Sequence, residues 1–234
     1  PFLSSEIDDI QKSAGSRFLA SPGMRKIIEA QNNKVQKMAV VGRPCQIQAL
    51  RKLDYNRPPQ KPEVEVLSIG LFCMWSLGWD FKDYLQKQFP EEEVLRLAIP
   101  QHGFEVTTDK GVHELPIDTV KKFSRAGCNY CLDMTSELAD ISVGAFEPQE
   151  GWNTVIIRTP KGQQIFNDAL TKGYLISEEY PEDELKRLKG ASLGKKTRNL
   201  NHVQTAFDKG VKPFIDLNSA YYIQLKELAE GMVK

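Results

Sequence analysis

Four cysteines are the residues best able to do chemistry: Cys45, Cys73, Cys128 and Cys131. Cys128-Asn129-Tyr130-Cys131 is a C-x-x-C pair, a spacing that lets two thiolates turn toward one centre in metal and redox sites. Cys45 sits in Gly42-Arg43-Pro44-Cys45-Gln46, directly after the apolar run Met38-Ala39-Val40-Val41. Cys73 closes a second apolar run over residues 64–72. Two strand-end cysteines can therefore converge on the loop that holds the pair, giving four ligands from three segments. Four thiolates suit zinc or an iron–sulfur cluster. Structural zinc usually takes two short C-x-x-C knuckles and only one is present, so the dispersed set favours a cluster inside a larger fold. A redox dithiol stays open, as do ordinary buried cysteines, because free Cys is among the most buried residue types. Nothing suggests secretion, so disulfides are the weaker reading and a cytoplasmic location is expected.

The other polar motifs are less specific. Ser13-Ala14-Gly15-Ser16-Arg17-Phe18 sets small residues beside an arginine, which can cradle an anion or a cofactor phosphate, and can equally be a helix-ending loop. Arg43 and Arg125 flank cysteines; they could offset a cluster's negative charge, pair with flavin phosphates, or form surface ion pairs. His102, His113 and His202 have no metal-ligand spacing to one another and are expected to be solvated, in loops or on polar strands. No G-x-S-x-G, P-loop or G-x-G-x-x-G is present, which removes the simplest hydrolase, ATPase and Rossmann readings. No catalytic residue is assigned. Lys+Arg and Asp+Glu balance at 31 each in 234 residues, which argues against nucleic acid or an anionic membrane as partner. No apolar run approaches the roughly 18 residues that a membrane span needs.

The elements that must position these residues read as α/β. Helical stretches are expected at residues 4–12, 22–30, 47–53, 80–89 and 163–172, with Ser21 as a cap before a first-turn proline. Strands are expected at 38–41, 64–72, 139–143 and 154–158. The strand–turn–helix order around Cys45 puts the turn at a strand's carboxyl end, where α/β sheets bind ligands. Residues 94–99, 104–108 and 112–115 read as antiparallel strands, with Asp109-Lys110-Gly111 as a hairpin turn. A charged, mostly helical stretch covers 181–196. An amphipathic helix covers 219–232, its stripe of Tyr222, Leu225, Leu228, Ala229 and Met232 forming a core or docking face. The expected architecture is a mixed sheet with flanking helices, a small antiparallel β-insert and a helical C-terminal tail. Its expected segments are an α/β part with the first two cysteines (1–90), the β-insert (91–120), the cysteine loop with a second α/β part (121–180), and the tail (181–234).

Five blocks, in order over roughly residues 10–200, resemble one family. Val40-Val41-Gly42-Arg43-Pro44-Cys45-Gln46-Ile47-Gln48-Ala49-Leu50-Arg51 resembles the V-G-T-P-C-Q-x-x-A-L-R block of the beta subunits of coenzyme F420-reducing hydrogenase and F420-dependent formate dehydrogenase. Ile69-Gly70-Leu71-Phe72-Cys73 is similar to its next block. Arg125-Ala126-Gly127-Cys128-Asn129-Tyr130-Cys131, with Ala139-Asp140-Ile141-Ser142-Val143-Gly144, resembles its cysteine loop and following strand. Gly151-Trp152-Asn153-Thr154-Val155-Ile156-Ile157-Arg158-Thr159 resembles its G-W-x-T-V-I-V-R-T block, and residues 13–18 its S-x-G-S-K-Y block. Arg43 stands where Thr is commoner, Arg17-Phe18 where Lys-Tyr is, and Cys73 is followed by Met74-Trp75-Ser76 rather than a more polar stretch. The family's glycine-rich N-terminal block has no counterpart after Pro1-Phe2-Leu3, so upstream residues are expected to complete the functional unit.

The resemblance implies an iron–sulfur flavoprotein oxidoreductase with FAD and a [4Fe-4S] cluster. It would pass electrons between a hydride carrier, deazaflavin (coenzyme F420) or nicotinamide in type, and a redox partner subunit or ferredoxin-type protein. It implies Cys45, Cys73, Cys128 and Cys131 as cluster ligands; four cysteines suffice for one cluster. It puts Ser13, Gly15, Ser16, Arg17, Arg43, Gly151, Trp152, Asn153 and Thr154 near the flavin. Two other classes stand beside it: a cluster-only electron relay in a multi-subunit complex, and a zinc-stabilised α/β binding module.

Overall fold

The computed structural model describes residues 1–58, 64–100, 103–146, 148–211, 216 and 218–231, with side chains through residue 228. His102 and Met232 lie outside the described residues, as does the side chain of Ala229. The chain divides into two compact units: Pro1–Lys26 with Trp75–Cys128, and Ile27–Met74 with Asn129–Lys234.

The second unit is built on a four-stranded sheet. Its strands are β1 (Lys37–Gly42), β2 (Glu65–Leu71), β6 (Ile141–Ala145) and β7 (Asn153–Ile157), in the order β1-β2-β6-β7. β1, β2 and β6 run parallel, with Gly42 opposite Gly70 and Gly70 opposite Ser142. β7 returns antiparallel to β6, with Ser142 opposite Ile156. Helix α3 (Pro44–Tyr55) links β1 to β2 and buries Ile47 and Leu50. Its first turn starts earlier than the sequence suggests, because Pro44 presets the first helical φ and the Gln46 side chain accepts from the Arg43 N–H at 3.0 Å. Cys45 is therefore a helical residue rather than a turn residue. Helix α6 (Pro160–Thr171) is capped by Thr159, whose Oγ1 accepts from the Gly162 N–H at 3.1 Å. The charged stretch continues well past residue 196, as one 27-residue helix, α7 (Glu182–Asp208). His202 belongs to that helix rather than to a loop. Leu200 and Val203 of α7 pack with Leu132 and with Tyr222 and Leu225 of α8 (Ala220–Gly231). The buried part of the terminal stripe is thus core, while Leu228 is exposed.

The first unit holds the expected antiparallel insert: β3 (Val94–Ala98), β4 (Phe104–Thr108) and β5 (Val112–Leu115), in that order. Phe81 and Leu85 of α4 (Asp80–Gln88) pack with Leu97, Phe104, Val106 and Leu115 of the sheet and Val120 of α5 (Ile117–Lys121). Edge-to-face rings fill this core, with Phe81 and Phe104 centroids 5.5 Å apart. His113 is not simply solvated: its Nε2 lies 2.8 Å from Glu92 Oε2 and its ring 4.4 Å from that of Phe89. The remaining helices are α1 (Ile7–Lys12) and α2 (Gly23–Asn32). Among the described residues no helix is long and apolar enough to cross a membrane.

Candidate metal centre

Parallel strands end on the same edge of their sheet. β1 runs into Arg43-Pro44-Cys45 and β2 into Phe72-Cys73, and the two strands are in register through Gly42 and Gly70. The sheet therefore delivers both cysteines to its carboxyl edge, where α/β sheets bind ligands. Cys45 is exposed on the first turn of α3, where unpaired helix N–H groups favour negative charge. The stretch after Cys131 lies alongside Cys73: the Cys73 N–H donates to the Met134 carbonyl at 2.8 Å. Cys45 is near enough to Cys131 for the two sulfurs to interact electrostatically. Cys128 stands on a short 3-10 helix (Ala126–Tyr130), three residues before Cys131, and its thiol faces the Ser76 carbonyl at 3.9 Å.

None of the four cysteines is in a disulfide. The thiols of the second unit approach one another without converging: among the described residues, no three Cys, His, Asp or Glu side chains are close enough to share an ion. The donor set nonetheless fits a thiolate-held metal group, and the surroundings fit its charge. Helix α7 inserts Lys195, 1% exposed, into this region. Its Nζ donates to the Cys73 carbonyl at 2.6 Å, the Asp133 carbonyl at 2.8 Å and Cys131 Sγ at 3.7 Å. One turn on, the Asn199 amide donates to the Cys131 carbonyl at 2.7 Å. Burial pushes the Cys131 thiol up; the Lys195 charge opposes that rise without cancelling it, and Cys45 adds to it. Metal coordination is what overcomes such a rise, since a bound thiol ionises. Two polar atoms on the same stretch, Asp133 Oδ1 and Ser136 Oγ, are buried without a hydrogen-bond partner.

A second bonded set fixes the stretch from Cys131 to the sheet. Arg158, at the end of β7, donates through Nε to Ser142 Oγ at 3.0 Å and through Nη2 to Thr135 Oγ1 at 2.9 Å. Asp140 accepts from the Ser68 N–H at 2.8 Å, Ser68 Oγ at 2.6 Å and Thr159 Oγ1 at 2.9 Å, with Arg51 at 3.2 Å. Burial alone would raise the Asp140 carboxyl, but these donors and the Arg51 charge overrule it and hold it below its ordinary value.

The residues expected near a flavin fall in both units. Ser13, Gly15, Ser16 and Arg17 are exposed in the first, after α1, where the Ser13 hydroxyl closes the helix on the Asp9 carbonyl at 2.9 Å. Gly151, Trp152, Asn153 and Thr154 occupy the β6–β7 hairpin of the second, where Gly151 takes a left-handed φ of 84°. Thr154 is buried, its hydroxyl 3.1 Å from the Tyr180 hydroxyl. Arg43 caps α3 beside Cys45.

Lys195, Lys196 and Asn199 are absent from the sequence-derived site. Their signal is the stripe Leu200, Val203 and Ala206: carried back one turn, it lands on Lys195, Lys196 and Asn199, which are polar yet buried.

Residues 35–183 match the family described as the C-terminal part of the beta subunit of coenzyme F420 hydrogenase/dehydrogenase, and the chain belongs to that family. The F-type subunit of the F420H2 dehydrogenase of Methanosarcina mazei is 34% identical over 190 residues, covering 78% of this chain and 53% of its own length. The coenzyme F420 hydrogenase subunit beta of Methanosarcina barkeri is 31% identical over 193 residues, covering 80% of this chain and 66% of its own length. The chain thus spans about half to two thirds of these relatives. A xenon-derivatised structure of the F420-reducing [NiFe] hydrogenase complex from Methanosarcina barkeri superposes with a TM-score of 0.79 at 29% identity, over 91% of this chain and 76% of that one. The family resemblance and the mixed α/β fold expected from the sequence are both borne out.

Proposed function

We propose that the chain is the electron-transfer part of an F420-dependent oxidoreductase, with Cys45, Cys73, Cys128 and Cys131 holding a [4Fe-4S] cluster and FAD as second cofactor. The observation that carries this is the delivery of Cys45 and Cys73 to one sheet edge, with Cys131 beside them and a buried ammonium among their segments. Cys128 joins the set through its C-x-x-C spacing to Cys131. When bound, a flavin exchanges a hydride as an electron pair and an iron–sulfur cluster carries electrons singly. The chain's own residues position and shield. Arg158 and Asp140 fix the stretch from Cys131 to β6, and Asn199 and Lys195 clamp its carbonyls from α7. Ser13, Gly15, Ser16, Arg17 and Arg43 supply small or cationic groups for flavin phosphates. Gly151, Trp152, Asn153 and Thr154 supply an open hairpin backbone and one indole face. The hydride carrier is coenzyme F420 or a related carrier, and the electrons pass to or from a redox partner subunit in a cytoplasmic complex.

The test is an oxygen-free preparation of the natural full-length protein, assayed for bound flavin and for dye-linked oxidation of reduced F420. Flavin with F420-dependent turnover is the expected result. A preparation that binds one zinc and no flavin would contradict the assignment.

A further inference from the structure

Two adjacent lysines of α7 are buried, and they are treated differently. Lys196 pairs with the Glu137 carboxylate and the Tyr221 hydroxyl. Lys195, 1% exposed, meets three acceptors: two backbone carbonyls and the Cys131 sulfur. Three acceptors match the three N–H donors of an ammonium. Among the described residues no carboxylate lies within ion-pair distance of it. A buried charge without a counter-charge is strongly unfavourable, and such a cation is retained where negative charge develops nearby. The negative charge available here is that of the cysteine sulfurs. Lys195 also lies beyond the stretch matched to the family.

We propose that Lys195 is the fixed countercharge of the sulfur site, a positioning residue that favours the reduced form of a thiolate-held iron–sulfur centre and ties the Cys73 and Cys131 segments together. The inference rests on the cluster reading above. One-electron reduction adds one negative charge and no proton, so a cation hydrogen-bonded to a ligand sulfur stabilises the reduced state more than the oxidised one. Lys196 is already neutralised by Glu137 and has no comparable effect.

The test compares wild type, Lys195→Met, Lys195→Gln and Lys195→Arg in the full-length protein, prepared without oxygen. Iron and acid-labile sulfide are measured first, then the midpoint potential by EPR-monitored titration. Loss of the charge should make reduction about tenfold less favourable, a shift of about 59 mV to lower potential for one electron. Lys195→Arg should restore most of it. A loaded neutral variant with an unchanged potential overturns the proposal. If neither neutral variant folds by circular dichroism, the role is structural and the proposal falls. A wild-type chain without iron and sulfide overturns the underlying reading, and this inference with it.

Discussion

Asp140 shows how single side chains hold the candidate site in shape. Its side chain is only 7% exposed, and it gathers Ser68, Thr159 and Arg51. Its folded value lies below the ordinary carboxylate range. The stabilisation is therefore fully present above that range and is lost as pH falls through it. Asp140→Asn should lower stability at neutral pH by about 1.5–3 kcal/mol, the worth of hydrogen bonds to a charged group. It should also flatten the acid limb of a denaturant-midpoint-against-pH profile; an unchanged limb would show that Asp140 is not the titrating group. Gly70 makes a steric prediction. A Cβ there would collide with the Ser136 side chain and press on Ala139, so Gly70→Ala should cost about 1–3 kcal/mol as an overpacked site. Cys45 makes the opposite one. It is exposed, so Cys45→Ser should move apo-protein stability by no more than about 0.5 kcal/mol while sharply lowering iron uptake. Equal iron in the variant would remove Cys45 from the ligand set.

At the scale of elements, the parallel pairing of β1 with β2 turns two distant cysteines into neighbours at one sheet edge. That much was legible: Met38-Ala39-Val40-Val41 and residues 64–72 are continuous apolar runs, the pattern of strands buried on both faces. The three antiparallel strands of the insert were legible for a similar reason, since Asp109-Lys110-Gly111 marks the hairpin. The first turn of α3 was misjudged because a proline can end a turn or open a helix, and only the Gln46 side chain's reach back to Arg43 decides. The full extent of α7 was hidden by charge: its N-terminal half reads as a solvated face, and its buried half carries Lys195, Lys196 and Asn199, which burial rules alone place outside a core. Helix α8 belongs to that same core through Tyr222 and Leu225. Leu225→Ala should destabilise the protein by about 2–5 kcal/mol in chemical denaturation. A change under about 1 kcal/mol would mean that the helix is loosely held and free to serve as a docking arm.

At the scale of the molecule, one chain folds into two compact units, and the C-x-x-C pair spans the boundary between them: Cys128 closes the first and Asn129 opens the last stretch of the second. The composition anticipated a globular α/β chain, and the five motif blocks anticipated its family. What composition and motifs do not contain is the buried polar scaffold, because Arg158, Asp140 and Lys195 find their partners across distant parts of the chain. The account stands on the four thiols serving one redox group, and the most direct measurement is iron and acid-labile sulfide per chain in protein purified without oxygen. It predicts about four of each, lost together when Cys131 is replaced by serine. Zinc in place of iron, or iron and sulfide that persist in the Cys131→Ser chain, would contradict it.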